Sequence, residues 1–216
     1  MAKSVLLIGL GEFGLHMARK LNEMNIEVMG VDFNEEKVNE ALPFLTEAQI
    51  GDSTNPEFLE TLGVRNYDCC VVTIGADFQN SLETTSLLSE MGAQRVISRA
   101  NTEIHEKFLR RNGADLVVYP ERQMAIRTAI RCTYENIIDY ITVDDEYSIV
   151  EVDVPREWDG KTLSQLNIRN KYGINVLGVR NNGRLDMNIG HDTLLEQDKT
   201  IMVLGSRKSI SKCFRV

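Results

Sequence analysis

The sequence has few of the features that would place it in a membrane or outside the cell. Its 216 residues include only three histidines and one tryptophan. No stretch of the sequence approaches the roughly 18 apolar residues of a membrane-spanning helix. The apolar run at Val5–Ile8 is also far shorter than the core of a signal peptide. We therefore expect a soluble, cytoplasmic protein that reaches a membrane only through a partner.

Clustered positive charge and metal-type cysteine spacing are also lacking. The chain has 24 Lys and Arg residues against 32 Asp and Glu residues, a net charge of −8, whereas a nucleic-acid surface needs a basic patch. Its cysteines, at Cys69, Cys70, Cys132 and Cys213, do not have the C-x-x-C spacing that is typical of zinc or redox sites. We predict no nucleic-acid partner and reduced thiols.

Catalytic signals are equally scarce. The sequence contains no G-x-S-x-G, H-E-x-x-H or G-x-x-x-x-G-K-[ST] motif, and His16, His105 and His191 stand in positions that favour solvated or structural roles. A dehydrogenase needs an acid or base beside its cofactor, and none is evident. We predict that the chain is not an enzyme, with a small NAD-dependent oxidoreductase as the alternative.

What the sequence does contain is a regular alternation of strands and helices over residues 1–122. Short apolar runs alternate with segments whose apolar residues recur every three or four positions, which predicts βαβ units and a parallel sheet. The predicted strands are Ser4–Ile8, Glu27–Val31, Glu47–Ile50, Asp68–Thr73, Arg95–Arg99 and Leu116–Tyr119. Six such strands make an α/β, Rossmann-type doubly wound domain.

The pattern changes twice after this domain. Over residues 123–143 an apolar stripe predicts one amphipathic helix that covers another surface; its members are Ile126, Ile130, Thr133, Ile137 and Ile141. Residues 144–216 then predict a small α+β domain. Its strands are expected at Ser148–Val154, Asn175–Arg180 and Thr200–Leu204, with a hairpin turn at Asn181-Asn182-Gly183.

A glycine-rich motif follows the first strand. Gly9-Leu10-Gly11-Glu12-Phe13-Gly14 has the form G-x-G-x-x-G and opens a helix, which is the context that makes this motif specific for nucleotide phosphates. Gly9 allows a tight turn, Gly11 lets phosphates approach the backbone, and Gly14 allows the helix to pack closely on the strand. The amides at the helix start then face the phosphates.

An acidic residue closes the second strand. Asp32 lies eighteen residues beyond Gly14, where a carboxylate accepts hydrogen bonds from ribose hydroxyls and repels a 2′-phosphate; a helix N-cap is its alternative role. Phe33 and Asn34 follow it and are expected to border the adenine. The next two strand ends, Asp52-Ser53 and Ile74-Gly75, are expected at the same crevice because parallel strands end at one edge of the sheet.

Taken together, these segments resemble a known family. The chain is similar to RCK proteins, the KtrA/TrkA-like regulatory subunits of bacterial Ktr and Trk potassium-uptake systems. The matching segments are Val5–Gly14, Val31-Asp32, Gly51–Thr54, Thr73–Gly75, Asn112–Glu121 and Asp145–Glu151. The resemblance covers nearly the whole chain.

The resemblance implies an octameric ring, built from dimers, beneath a KtrB- or TrkH-like membrane subunit. Exchange of ATP for ADP, or of NADH for NAD, would change the shape of this ring and gate potassium flux. The resemblance also implies that Arg99 approaches the nucleotide and that Glu121 helps to place a divalent cation. Because Glu12 stands where the family commonly has arginine, the case for ATP is weaker, and ADP, AMP and NAD remain open.

The family also suggests a ligand for the smaller domain. Residues 167–176 resemble the region that binds cyclic di-AMP in some relatives. Arg169 would meet a phosphate, Asn175 an adenine edge, and Ile168 and Ile174 the base faces. A helix and turn that merely precede a strand are the alternative for this segment.

Overall fold

The computed structural model describes residues 3–134 and 136–214 and divides the chain into two compact units, Met1–Glu121 and Arg122–Val216. The first unit contains a six-stranded parallel sheet in the order β3-β2-β1-β4-β5-β6. Its strands are β1 (Ser4–Ile8), β2 (Glu27–Asp32), β3 (Glu47–Ile50), β4 (Cys69–Val72), β5 (Val96–Arg99) and β6 (Leu116–Val118). The strand order reverses between β1 and β4, which is where ligands bind in such sheets. The predicted Rossmann-type fold is confirmed.

The helices of the first unit cover both faces of this sheet. They are α1 (Glu12–Glu23), α2 (Glu35–Ala41), α3 (Pro56–Leu62), α4 (Phe78–Glu90) and α5 (Glu103–Arg111), with 3₁₀ turns at Leu42–Phe44 and Val64–Asn66. Leu7 packs into the core on one face of the sheet, and its neighbours Leu6 and Ile8 pack into the core on the other. Because both faces are buried, the central strands β1 and β4 are nearly continuous apolar runs.

Most of these helices begin at a residue whose side chain accepts hydrogen bonds from the first turn. The N-caps of α2, α3, α4 and α5 are Asn34, Asn55, Asp77 and Thr102. Helix α1 differs, since its N-cap is Gly11 and no side chain caps it. Its first amide groups are therefore left without a side-chain cap, as a phosphate-binding helix requires.

The helix predicted over residues 123–143 is partly wrong. Helix α6 spans Pro120–Thr133, and Ile137–Thr142 is a strand, β7, paired antiparallel with the following strand; residue 135 lies outside the described residues. Ile137 and Ile141 stand four residues apart, and an even spacing also places two side chains on one face of a strand. The β-branched residues of this segment favour the strand.

The second unit contains a five-stranded antiparallel sheet in the order β11-β10-β13-β8-β7 and a two-stranded pair of β12 and β9. The remaining strands are β8 (Tyr147–Asp153), β9 (Lys161–Thr162), β10 (Asn175–Asn181), β11 (Arg184–Asp186), β12 (Leu194–Leu195) and β13 (Thr200–Ser206). The helices are α7 (Leu163–Leu166), α8 (Ile168–Tyr172) and α9 (Arg207–Phe214), with a 3₁₀ turn at Arg156–Trp158.

The predicted hairpin joins β10 to β11. Asn182 and Gly183 both have positive φ values, 47° and 78°, the conformation of the tight turns that match strand twist. The predicted α+β fold of this unit is confirmed. Within the described residues, no helix has both the length and the apolar character that a membrane crossing requires.

Candidate functional site

The three glycines of the phosphate loop, residues 9–14 from the end of β1 into the start of α1, have different structural roles. Gly9 adopts φ = +95°, which favours glycine because a Cβ would be strained there. A Cβ on Gly14 would overlap the carbonyl oxygen of Gly9, whereas a Cβ on Gly11 would meet open space. Gly9 and Gly14 are therefore needed by the loop itself, and the space beside Gly11 is left for a ligand.

A buried threonine ties this loop to the neighbouring strand. Thr73 follows β4, is 5% exposed, and its hydroxyl contacts the carbonyl oxygens of Ile8 and Gly9. Since Ile8 ends β1, the hydroxyl joins the ends of β1 and β4 where the strand order reverses. The loop is thus held before any ligand arrives.

Asp32 fixes the other side of the loop. It is only 6% exposed, and its two carboxylate oxygens accept hydrogen bonds from the backbone amides of Leu10 (2.7 Å) and Asn34 (2.9 Å). The N-cap of α2 is Asn34, whose side chain accepts from the amide of Glu36 at 2.8 Å. Asp32 is therefore not the helix N-cap, the role considered as its alternative.

A cavity of about 310 Å³ lies at the carboxyl edge of the sheet. Nine of the predicted ligand-binding residues line it: Gly9, Gly11, Asp32, Phe33, Asp52, Ser53, Ile74, Gly75 and Arg99. Phe33 is 74% exposed, so one face of its ring is open to an adenine. The cavity thus has a glycine loop on one side, a carboxylate at the end of β2 and an aromatic ring at its mouth.

The loop after the third strand contributes polar groups of different availability. The hydroxyl of Ser53 is buried and pairs with the hydroxyl of Thr84 at 2.8 Å. The carboxylate of Asp52 accepts hydrogen bonds from the backbone amide and the hydroxyl of Thr54, which hold its pKa below the usual value. Asp52 is therefore an exposed anion at the edge of the cavity.

The other predicted residues of the first unit do not line this cavity. Leu10 and Asn34 supply the amides that bind Asp32, Gly14 supports the loop, and the side chain of Glu12 is exposed at the first residue of α1. Phe13 and Glu121 instead surround Arg99.

Arg99 is a positively charged residue that lines the cavity. Its guanidinium forms an ion pair with Glu121 and lies 5.4 Å from the ring centroid of Phe13. Partial burial of the Glu121 carboxylate opposes ionisation, but its own backbone amide and Arg99 outweigh that effect and hold its pKa below the usual value. Glu121 is thus ionised and already paired.

No group of three or more His, Cys, Asp or Glu side chains among residues 3–134 and 136–214 is placed to hold a metal ion. A divalent cation at Glu121 would therefore need ligands from elsewhere, such as phosphate oxygens.

A second cavity, of about 740 Å³, lies within the second unit. The four residues predicted for cyclic di-AMP, Ile168, Arg169, Ile174 and Asn175, all line it. Arg169 and Asn175 are exposed, whereas Ile168 and Ile174 are 4% and 0% exposed. The polar pair is accessible to a ligand, and the isoleucines mainly build the cavity wall.

Two family models divide the chain at the same region as the fold. The TrkA-N domain matches residues 5–120 and the TrkA-C domain matches residues 147–216. The Ktr system potassium uptake proteins C and A of Bacillus subtilis (strain 168) are 38% and 36% identical, and the matches cover 98% and 97% of this chain and 96% and 95% of theirs. The chain belongs to the Ktr potassium uptake family.

Solved structures agree with this family in fold. The GsuK channel bound to NAD matches with a TM-score of 0.71 at 18% identity, over 98% of this chain and 38% of that one. The GsuK RCK domain matches with a TM-score of 0.69 at 18% identity, over 100% of this chain and 47% of that one. This chain therefore spans less than half the length of those chains and shares their RCK fold.

Several cavity residues of this Ktr family member were missed by the sequence analysis. Lys37 on α2 lines the cavity and lies 5.8 Å from the Phe33 ring centroid, and Asp77 and Asn80 line it from the start of α4. Asp77 caps α4 by accepting from the amide of Asn80 at 2.9 Å. Two sequence signals could have identified these residues. Lys37 is a basic residue about one helical turn after Asp32, which ends β2, and Asp77 is a polar helix cap just after Gly75.

Proposed function

We propose that this chain is a cytoplasmic, nucleotide-sensing regulatory subunit of a potassium channel or transporter, and that it has no catalytic activity of its own. The observation that carries the proposal is the glycine loop fixed by Asp32 beside an open cavity, in a chain 38% identical to a Ktr system potassium uptake protein. A ligand at this cavity would gate the partner by binding two conformations with different affinities.

The nucleotide is proposed to lie along the edge of the sheet, with its phosphate beside Gly11 and its adenine beside Phe33. Each oxygen of the Asp32 carboxylate accepts one backbone hydrogen bond and retains a second lone pair. Those lone pairs are available to the two ribose hydroxyls. The open space at Gly11 supports close approach of a phosphate to the start of α1.

The charges around the cavity favour a nucleotide with few phosphate charges. Lys37 and Arg99 line the cavity, but so do Asp32, Asp52 and Asp77, and Glu12 is exposed at the first residue of α1. A terminal γ-phosphate near Glu12 would be repelled unless a cation intervened. We therefore propose ADP or NAD ahead of ATP, with Glu121 contributing to a divalent-cation site if a triphosphate binds.

The second unit is proposed to bind cyclic di-AMP in its own cavity. Arg169 would pair with a phosphate and Asn175 would contact an adenine edge, because both side chains are exposed at that cavity. The buried Ile168 and Ile174 support the wall against which the bases would lie. This assignment separates the two ligands onto different units.

Assembly is proposed as a dimer-based octameric ring beneath a KtrB- or TrkH-like membrane subunit. Helix α6 leaves Met124 and Ile126 about half exposed, at 53% and 48%, and β7 is an edge strand whose Ile141 is 46% exposed. Exposed apolar residues on a helix and a sheet edge support contact with a second copy. Residues 123–143 would then provide the dimer contact as a helix and a strand.

Calorimetry with ATP, ADP, NAD, NADH and cyclic di-AMP, combined with light scattering, tests the proposal. We expect one adenine nucleotide to bind at the first unit, cyclic di-AMP to bind independently of Asp32, and the mass to correspond to a multiple of the dimer. A strictly monomeric protein that binds none of these ligands would contradict it. Turnover of NADH with a carbonyl substrate would instead support an oxidoreductase.

A further inference from the structure

His105 is a fully buried histidine outside the cavity. It lies on α5, is 0% exposed, and its ring centroid is 4.8 Å from that of Phe78. Its backbone amide donates to the hydroxyl of Thr102, the N-cap of α5. The contact with Phe78 and the hydrogen bond to Thr102 involve one face of the ring and the backbone amide. Neither contact requires a histidine at this position.

The side chain of His105 belongs to a chain of hydrogen bonds that ends at the cavity. Nδ1 of His105 lies 3.0 Å from the side-chain oxygen of Asn101, and the amide nitrogen of Asn101 donates to the carbonyl oxygen of Gly75. Asn101 precedes the N-cap of α5, whereas Gly75 lies 26 residues away in the loop after β4 and lines the cavity. The side chain therefore joins two separate loops.

The direction of these hydrogen bonds follows from the chemistry of the groups. The Gly75 carbonyl is only an acceptor, so the amide nitrogen of Asn101 must face it, and the Asn101 oxygen must face the imidazole. That oxygen also only accepts, so Nδ1 of His105 must carry the hydrogen. The Gly75 carbonyl therefore determines the tautomer of His105 through Asn101, without contacting the imidazole ring itself.

The opposite ring nitrogen supports this assignment. Nε2 of His105 is buried without a hydrogen-bond partner among the described residues. With hydrogen on Nδ1, that hydrogen is donated to Asn101 and only the Nε2 lone pair lacks a partner. The other tautomer would bury an unpaired N–H and turn the Nδ1 lone pair toward the Asn101 oxygen, so the tautomer with hydrogen on Nδ1 is also the one this environment favours. Burial lowers the pKa of His105, which keeps the ring neutral.

The Gly75 loop in turn contacts the main cationic group of the site. A Cβ on Gly75 would lie 2.8 Å from Nη1 of Arg99, so the backbone there passes directly against the guanidinium. A shift of the Gly75 carbonyl would therefore change the space in which Arg99 sits. Arg99 lines the cavity and pairs with Glu121.

We propose that His105 is a positioning residue for nucleotide binding, which acts through Asn101 to hold the Gly75 carbonyl and thereby the loop against Arg99. The inference rests on the proposed nucleotide site, and it adds a residue that has no contact with the cavity. Neutral imidazole with hydrogen on Nδ1 is the form that completes the chain.

ADP binding by single and double variants of the full chain tests this inference. Asn101→Ala changes an exposed residue, and His105→Leu removes the ring donor; each is expected to weaken ADP binding about fivefold, the effect of one lost hydrogen bond. His105→Asn keeps a donor at the position of Nδ1 and should stay within about twofold of the wild type. The double variant His105→Leu/Asn101→Ala should bind no more weakly than either single variant, because both break the same chain.

Leu88→Ala provides the control, since Leu88 is fully buried in the same unit but does not line the cavity. It should lower the free energy of unfolding without changing ADP affinity. Nitrogen-15 spectra should show His105 protonated at Nδ1 alone, and loss of that signature in Asn101→Ala is expected.

Two failures are distinguishable. If Asn101→Ala bound ADP as tightly as the wild type does, the role of His105 would be refuted while the nucleotide site would stand. Fully additive losses of ADP affinity in the double variant would have the same meaning. Absence of binding of ATP, ADP, NAD and NADH alike by the wild type, in a protein whose histidine spectra are as described, would overturn the proposed nucleotide site and this inference with it.

Discussion

At the scale of single residues, Asp32 illustrates how one side chain serves both the fold and a ligand. Its carboxylate joins the phosphate loop to the start of α2 through the amides of Leu10 and Asn34. A group that already organises two backbone segments presents its remaining lone pairs in a fixed direction. The proposed ribose contact therefore needs little rearrangement of the protein.

Asp32→Asn is expected to weaken ADP binding by roughly 1.5–3 kcal/mol, the range for hydrogen bonds to a charged group. Asparagine keeps one acceptor oxygen but turns an NH₂ group toward a backbone amide, so the loop should also become less stable. Calorimetry and urea unfolding measure the two effects. Glu36→Gln removes a charge from the exposed start of α2 and should change neither quantity; an unchanged ADP affinity in Asp32→Asn would contradict the ribose role.

His105 also predicts how stability depends on pH. The pKa of an unperturbed histidine is 6.5, and burial lowers the pKa of His105 in the folded protein. As the pH falls below 6.5 the unfolded chain binds a proton before the folded chain does. The free energy of unfolding should therefore decrease, by at most about 1.4 kcal/mol per pH unit for one proton.

Urea unfolding at pH 7.5, 6.5 and 5.5 measures this decrease. His105→Asn, which does not titrate, should show a flatter profile than the wild type over this window. His16→Gln is the control because His16 is exposed on α1, and its profile should follow the wild type. Parallel wild-type and His105→Asn profiles would mean that His105 is not held neutral by burial.

At the scale of elements, the glycines of the loop between β1 and α1 can be separated by substitution. Gly14→Ala should unfold or strongly destabilise the first unit, because a Cβ there overlaps the Gly9 carbonyl. Gly11→Ala should leave the fold intact, since its φ is −67° and the space beside it is open. The new methyl group would instead occupy the path of the phosphate.

Thermal unfolding and ADP titration of the two variants check this contrast. We expect Gly11→Ala to keep the wild-type melting temperature and to lose most ADP affinity. Gly14→Ala should instead have a clearly lower melting temperature than the wild type. If Gly11→Ala bound ADP as the wild type does, the phosphate would not lie beside Gly11.

The elements also show which parts of the fold the sequence could specify. The strands predicted in the first unit lie within one residue of the observed ones at each end. The strands β1 and β4, for example, are short apolar runs followed by a loop that contains glycine, and this change in sequence marks where they end. The segment after α6 could not be assigned in this way. Ile137 and Ile141 satisfy both the helical and the strand spacing, and only pairing with β8 decides between them.

The site was predictable where a residue's role depends on its own strand or loop. Gly9, Asp32 and Asp52 lie at or just after strand ends, and local sequence places them at the cavity. The His105–Asn101–Gly75 chain was not predictable, because its geometry depends on how separate loops and helices pack. Hydrogen bonds between residues distant in sequence have no periodic pattern that marks them.

At the scale of the whole molecule, the two cavities proposed as ligand sites lie in two separately packed units. Each unit has its own core, around the parallel sheet in one and the antiparallel sheet in the other. If the proposed nucleotide and cyclic di-AMP bias one equilibrium between conformations of the assembly, their binding energies must be linked. Linkage of this kind is reciprocal by thermodynamic necessity.

Reciprocity gives the gating proposal a quantitative test. Saturating cyclic di-AMP should change the dissociation constant of ADP by about fivefold or more, and saturating ADP should change that of cyclic di-AMP by the same factor. Calorimetric titrations in both orders on the assembled protein measure the two factors. Arg169→Gln is the control: it should abolish the effect of cyclic di-AMP on ADP while leaving ADP affinity alone unchanged, since Arg169 lines only the second cavity. If neither ligand changed the dissociation constant of the other, the two cavities would act on separate equilibria. A partner could then respond to either ligand but not to their combination.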